Sequence, residues 1–408
     1  MGVPSTAVAE VSDLRANDVG FVGAGQLARM AAEAASALGL SVAVLAEHPD
    51  DAACAVAAEV LLGSPLVEAD LRALAARSEV VTFDHEQVDL SLLRALSANG
   101  VVIRPGLATL EMAVDKAHMR AVLAAAGIPV PAHLTLDAGL DGAVPAAAEI
   151  EEFAATHGWP LVLKTARGGY DGKGVWPVND MAEVAAVTAP LVGRLLFEEM
   201  VPLEAELAVM VARRPSGETV TWPAVETAQV DGVCREVLVP GRLPSEVVER
   251  ARAVGQAVAE IAGAVGVLAV ELFWSGGVLM VNEIAARPHN SGHWTIEGAV
   301  TSQFENHLRA VLDLPLGSPA PQHPQVASVN VFGGAAGEDP LALLPGGLAT
   351  EGAHVHLYGK GARPGRKLGH VTVCGDDAEE VRERAWAAAV ALGTPRPQVL
   401  RAPSGRAS

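Results

Sequence analysis

The chain is poor in lysine: its 408 residues hold only Lys116, Lys164, Lys173, Lys360 and Lys367, against 24 arginines. Where any cation serves, this composition supplies Arg. The five lysines therefore mark candidate positions that suit a compact ammonium and not a forked guanidinium. Cysteine is scarce as well. Cys54, Cys234 and Cys374 lie far apart with no Cys-x-x-Cys. That excludes a disulfide scaffold and a thiolate zinc site, and suits a reducing compartment. Basic charge is in deficit, 29 residues against 48 acidic, for a net charge of −19. Such a chain is a poor partner for DNA, RNA or anionic lipid. The apolar run Ala34–Ala46 is too short to span a membrane and contains glycine. Residues 1–17 carry no charged-then-apolar leader pattern, and the myristoylation-like start Met1–Thr6 reads as coincidence. The expectation is a cytoplasmic protein of two or three domains, with no nucleic-acid or membrane partner.

What is present falls into three stretches. Strand patterns at 18–24, 41–47, 59–62 and 79–83 alternate with helical patterns at 26–38, 68–77 and 90–97. That alternation predicts an α/β region with a parallel sheet. A helical stretch over 107–125 and a linker-like stretch over 137–148 follow. Hairpin-like strands are then expected at 175–178, 195–200, 206–213, 219–226 and 233–239. A helix is expected over 245–264, and two strands, 267–274 and 278–284, about the turn Ser275-Gly276-Gly277. This is an α+β region. The Pro-rich segment 315–324 reads as a boundary. Beyond it, strands at 328–332, 354–357 and 367–373 and a helix over 377–392 form a small tail unit.

Five segments carry chemistry. In Leu161–Gly174 a strand ends on Lys164, and a loop with four glycines and Lys173 follows. Glycine lets N–H groups face an anion, and lysine suits a phosphate oxygen, so the segment reads as a lid over phosphates. It is neither a Walker A sequence nor a kinase loop. Gly23-Ala24-Gly25-Gln26-Leu27-Ala28 fits G-x-G-x-x-A, with Glu47 ending the next strand. A dinucleotide, a nucleotide monophosphate or plain turn packing would each satisfy it. Glu271 and Glu283, with Asn282, lie on strands joined by a short Gly turn. They form a hard-oxygen set suited to Mg²⁺ with nucleotide phosphates. Arg287–Trp294 and Arg363–His370 pack cations and imidazoles densely, which points to an anionic substrate.

The strings VGAGQLARM, VVTFDHEQV, LVLKTARGGYDGKG, GVLAVELFW, VNEIAARPHNSGHWT and RPGRKLGHV resemble the ATP-grasp superfamily. Within it they are similar to the PurK-type ribonucleotide synthases. The resemblance implies an N-terminal Rossmann-like domain over 18–114, an ATP-grasp domain over 115–315 and a small C-terminal domain over 325–393. A 1–17 extension and a 394–408 tail would flank them. It implies carboxylation of 5-aminoimidazole ribonucleotide with bicarbonate and ATP, a divalent ion (Mg²⁺ or Mn²⁺) and a homodimer. By resemblance, Lys116 and Lys164 hold ATP phosphates and Gly169, Tyr170, Asp171, Gly172, Lys173 and Gly174 form the lid. Glu198, Glu199, Met200 and Val201 are the adenine hinge, and Glu206 accepts the ribose hydroxyls. Glu271 and Glu283 bind metal beside Asn282. Tyr170, Asp171, Arg287, His289 and Lys367 surround the reacting carboxyl and amine. Gly25, Gln26, Leu27 and Arg366 hold the ribonucleotide phosphate and Glu86 its sugar or base, with Asp84 and Lys367 also binding this substrate. The sequence departs from the family pattern at Asp84, at Glu226-Thr227-Ala228-Gln229 and at Ala286. A formate-using ATP-grasp ligase, a nicotinamide oxidoreductase and an inactive nucleotide-binding subunit are the rival readings.

Overall fold

The computed structural model describes residues 17–138, 146–169, 172–334 and 337–398. Its first sheet is wholly parallel: β1 (Asn17–Val22), β2 (Val42–Ala46), β3 (Glu59–Leu62) and β4 (Ser78–Phe83), in the order β3-β2-β1-β4. The crossover from β1 to β2 is the helix Gln26–Ala37. It turns Leu27, Ala28, Met30, Ala31 and Ala35 inward, the one-sided spacing of an amphipathic helix. Because β1 and β4 are adjacent and parallel, their C-terminal ends place the Gly23–Gly25 turn beside the Asp84–Glu86 loop. This is where an open α/β sheet presents ligands.

The second sheet is antiparallel: β5 (His133–Asp137), β6 (Leu161–Thr165), β7 (Val175–Val178) and β8 (Arg194–Glu199), in the order β5-β8-β6-β7. Val162 pairs with Glu198 and Lys164 with Leu196. Side chains two residues apart share a face, so Lys164 and Glu198 project from the same side. The third sheet holds nine strands: β9 (Ala205–Arg213), β10 (Thr219–Thr221), β11 (Val225–Val230), β12 (Val233–Val239), β13 (Gly266–Ser275), β14 (Val278–Ala285), β15 (Gln325–Phe332), β16 (Ala353–Leu357) and β17 (Lys367–Gly375). They run β14-β13-β9-β11-β12-β15-β17-β16, with β10 paired to β9.

Three sequence expectations change here. The strand expected over 219–226 is two strands, broken at Trp222-Pro223-Ala224. Pro223 cannot donate to a ladder, and Trp222 buries its ring, with Nε1 donating to Thr301 O at 3.1 Å. The helical stretch 107–125 breaks at Asp115, which is extended (φ −126°, ψ 100°) and caps the helix Lys116–Ala125 by accepting from His118 N. The tail strands do not stand apart: β15 pairs with β12, so they continue the central sheet. Part of the linker expected over 137–148 lies outside the described residues.

His307 ties the first sheet to the third. Val267 N–H donates to its Nδ1 at 3.1 Å, so the ring proton sits on Nε2, 2.9 Å from Thr82 Oγ1. Burial pushes the His307 pKa down to about 3. Between pH 6.5 and that value the unfolded chain takes up a proton that the folded chain refuses. Stability is therefore full above pH 6.5 and falls as pH drops. The expected loss from His307 alone is on the order of 2 kcal/mol at pH 5. Urea midpoints at pH 7 and pH 5 check it, and equal midpoints would refute it.

Candidate active site

A cleft of about 1640 Å³ runs from the ends of β1 and β4 to β6, β8, β13 and β14. At its inner end Glu271 and Glu283 are directly opposed across the β13–β14 ladder, with a register shift just after Glu271. Opposed residues project from one face with Cβ atoms about 5 Å apart, so the two carboxylates converge. Lys116, the first residue of the helix it opens, places Nζ 2.6 Å from Glu283 Oε1. Lys164 Nζ lies 2.6 Å from Glu198 Oε2 and 3.3 Å from Asn282 Oδ1.

Glu198 works through its side chain. Its backbone is paired in the sheet between His133 and Val162. Its carboxylate is held between Lys164 and Arg120, whose Nε is 2.6 Å from Oε1. Burial alone would raise the Glu198 pKa. The two cations outweigh burial and bring it down to about 2. Burial likewise lowers Lys164, and Glu198 opposes that shift. This buried triad aims the Lys164 ammonium at the cleft. Glu199 accepts from Ala132 N–H at 2.9 Å, and Met200 and Val201 line the cleft beyond the strand end.

The donor set suits a metal that arrives with a nucleotide. Among the described residues no group of three or more His, Cys, Asp or Glu forms an all-protein metal site. Two carboxylates and an amide leave positions for phosphate oxygens and water, as Mg²⁺ prefers. Glu206, on β9 and lining the same cleft, has its carboxyl pushed up to about 7 by burial. Ribose hydroxyls donating to it would stabilise the anion, so ATP binding at pH 6.5 should release a fraction of a proton and weaken as pH falls. Calorimetry in buffers of different ionisation enthalpy reads this directly. A buffer-independent enthalpy would remove Glu206 from the ribose.

At the outer end Asp84 accepts from Gly25 N–H (2.9 Å) and Ala28 N–H (2.8 Å), capping the helix that starts at Gln26. A Cβ on Gly25 would collide with the Asp84 carboxylate, so the close approach requires glycine here. Both Asp84 oxygens are engaged, while the intervening Gln26 and Leu27 N–H groups face the helix N-terminus, a ready anion site. Lys360 reaches Gln26 Oε1 from the C-terminal strands, and Arg366 Nη1 is held by Gly361 O at 3.0 Å.

Between the two ends, Arg287 Nε donates to Glu86 Oε2 at 2.7 Å. His289 Nε2 lies 3.7 Å from Glu271 Oε1, and its Nδ1 lies 2.8 Å from Ser291 Oγ. Burial, then the charges of Arg287 and Lys367, push His289 down to about 3, so it is a neutral imidazole. Gly169 and Gly172 line the cleft, and Gly172 (φ +75°) packs against Asp231 O, where a Cβ would stand at 2.8 Å. Gly174 O accepts from Thr165 N–H at 3.0 Å, closing the loop base, while Lys173 is exposed. Tyr170 and Asp171 lie outside the described residues.

Sequence reasoning gave Lys360 no role beyond its place among the five lysines, and missed Arg120. Lys360 sits between two glycines in a lysine-poor chain, a signal the sequence itself carries. Arg120 lies one helical turn beyond Lys116, on the same face.

Paired ammonium groups on separate elements, opposed carboxylates on adjacent strands and a glycine loop above them define an ATP-grasp ligase. Residues 122–304 match the ATP-grasp domain family. Residues 16–114 match the ribonucleotide synthetase preATP-grasp domain, and residues 327–384 the phosphoribosylaminoimidazole carboxylase C-terminal domain. The chain is 44% identical over 399 residues to N5-carboxyaminoimidazole ribonucleotide synthase of Mycobacterium tuberculosis, covering 95% of this chain and 91% of that one. The solved synthetase of Thermus thermophilus is 37% identical with a TM-score of 0.82, over 93% of this chain and 100% of that one. The Aspergillus clavatus synthase in complex with ADP and 5-aminoimidazole ribonucleotide is 32% identical with a TM-score of 0.83, over 92% and 98%. The chain belongs to the N5-carboxyaminoimidazole ribonucleotide synthase family.

Proposed function

We propose that this chain joins bicarbonate to the exocyclic amine of 5-aminoimidazole ribonucleotide, with ATP converted to ADP and phosphate. The observation that carries the reading is one cleft with two differently built ends. Opposed Glu271 and Glu283 with Lys116 and Lys164 suit a triphosphate. The Gln26–Leu27 N–H pair beside Lys360 suits a sugar phosphate, with Arg366 held on the loop that follows Lys360.

A bicarbonate oxygen attacks the γ-phosphorus, and the bond to the β,γ-bridging oxygen breaks with ADP as leaving group. The carboxyphosphate then loses CO₂ by C–O cleavage, leaving inorganic phosphate. The amine nitrogen bonds to that carbon and gives its proton to phosphate. Lys116 and Lys164 hold phosphoryl oxygens in place, so catalysis is chiefly positioning and charge neutralisation. Glu271 and Glu283, with Asn282, would hold Mg²⁺ or Mn²⁺, which offsets charge where bicarbonate meets the γ-phosphoryl group. Arg287 and neutral His289 offer N–H donors to the carboxyl group. Lys367, with Tyr170 and Asp171, completes that surround. Gly169–Gly174 covers the phosphates, and Glu199–Val201 frames the adenine.

We extend the reading to a cytoplasmic homodimer with units at 18–114, 115–315 and 325–393. No helix among the described residues is long and apolar enough to cross a membrane. Product analysis with labelled bicarbonate against labelled formate tests the reaction. Label from bicarbonate in a carbamate of the ribonucleotide supports it, and formate incorporation overturns it.

A further inference from the structure

A row of polar groups, buried except for the half-buried His356, lies between the catalytic loop and the C-terminal strands, and the reaction scheme gives it no work. His356, His370 and Asn330 stand in register across β16, β17 and β15. Their face is opposite the one that packs Val371 and Val373 on the helix Ala378–Ala391. The His356 and His370 rings stack at 4.5 Å with 10° between their planes. His370 packs on His293 at 4.8 Å and places Nδ1 2.9 Å from Tyr358 Oη. His356 Nε2 is 2.6 Å from Glu297 Oε1. From His293 the contacts enter the catalytic loop through Gln303. Its Nε2 donates to His289 O at 2.7 Å and lies 3.3 Å from His293 Nδ1. Its Oε1 accepts from His289 N–H at 2.9 Å.

Stability does not explain this row. His293 Nε2, His370 Nε2, Glu297 Oε2 and Asn330 Oδ1 are buried without a hydrogen-bond partner among the described residues. Buried polar atoms left unpaired cost free energy that apolar side chains of equal volume would not. What the row does is join two halves of the site. β17 opens on Lys367, three residues before His370, and Arg366 precedes it. The loop carrying Arg287 and His289 continues to His293, which touches His370.

Resting on the reaction proposed above, we infer that the His293–His370–His356 stack, with Gln303, is a positioning element. It keeps Lys367 and the amine-bearing substrate in register with His289. The carboxyl group freed beside His289 is then captured by the amine. Without that register, water takes the amine's place and carboxyphosphate breaks down to bicarbonate and phosphate. A misplacement of about 1 Å suffices to cost capture about a hundredfold. ATP cleavage at Glu271 and Glu283 does not depend on it.

ADP and carboxylated ribonucleotide are measured in the same samples of the full chain at saturating substrates. The variants are His370→Phe, which keeps an aromatic ring, His356→Leu and His356→Gln. Wild type should give about one ADP per product. His370→Phe and His356→Leu should raise that ratio at least threefold. They should also raise KM for the ribonucleotide about tenfold and leave KM for ATP within twofold. His356→Gln, which can still donate to Glu297 but loses the ring that stacks on His370, should give a ratio between those of wild type and His356→Leu. If His370→Phe does not fold, as read by its thermal midpoint, the His356 pair decides alone. A ratio of one in the folded variants, or equal losses of ADP and product, overturns the inference. A wild type that releases no ADP in response to bicarbonate and ribonucleotide overturns the functional reading instead.

Discussion

Glu283→Gln is expected to lower kcat for ADP release by about a thousandfold, on the order of 4 kcal/mol of transition-state stabilisation. The substitution keeps size and leaves an oxygen for Lys116, which now sits 2.6 Å from Glu283 Oε1. What it removes is one of two opposed negative charges. On the proposed reading, a divalent ion held by Glu271 and Glu283 would lose half the protein charge that faces it. The fold should persist. The Glu283 side chain is 38% exposed and that of Lys116 only 10%, but glutamine keeps an acceptor for the ammonium, so the loss of stability should stay at about 1 kcal/mol. Steady-state rates and urea midpoints separate the two effects. A near wild-type rate would take Glu283 out of the metal site, and a collapsed midpoint would make its role structural.

Lys164→Ala should act on both binding and folding. Lys164 is 8% exposed, and Glu198, its partner, is 2% exposed. Removing the ammonium leaves a buried carboxylate on Arg120 alone. Breaking a buried pair from one side costs about 3 kcal/mol. KM for ATP should rise at least about a hundredfold, two factors of ten at about 1.4 kcal/mol each. Lys164→Arg is the sharper variant. A five-donor fork in a slot framed by Asn282 and Glu198 should restore the midpoint partly and the KM hardly at all. Full recovery of KM by arginine would contradict the premise that this lysine-poor chain keeps ammonium groups for shape.

Much of the arrangement was legible because it is local. β1, β2, β3 and β4 alternate with helices of clear period. The Ser275-Gly276-Gly277 turn makes β13 and β14 antiparallel neighbours, so the pairing of Glu271 with Glu283 followed from a few residues of sequence. What was not legible is long-range. Nothing near Val239 indicates that its strand pairs with β15, which begins at Gln325. Asp84 looks like a ligand residue in its own string. Only the folded β1–β4 arrangement brings its oxygens to Gly25 and Ala28, as a cap. Glu198 reads as the start of a hinge, and its charge becomes meaningful only when Lys164 and Arg120 close on it from separate elements. The histidine stack is invisible in sequence for the same reason: β16, β17 and the catalytic loop meet only in three dimensions.

On the proposed reading, one cleft cleaves ATP with bicarbonate as nucleophile and delivers the resulting carboxyl to a ribonucleotide amine. Turnover with ¹⁸O-labelled bicarbonate, followed by mass spectrometry of the released phosphate, tests it most directly. Attack by a bicarbonate oxygen on the γ-phosphorus predicts one bicarbonate oxygen in each phosphate formed. Phosphate whose new oxygen comes from water, in a turnover that still yields carbamate, would contradict the account.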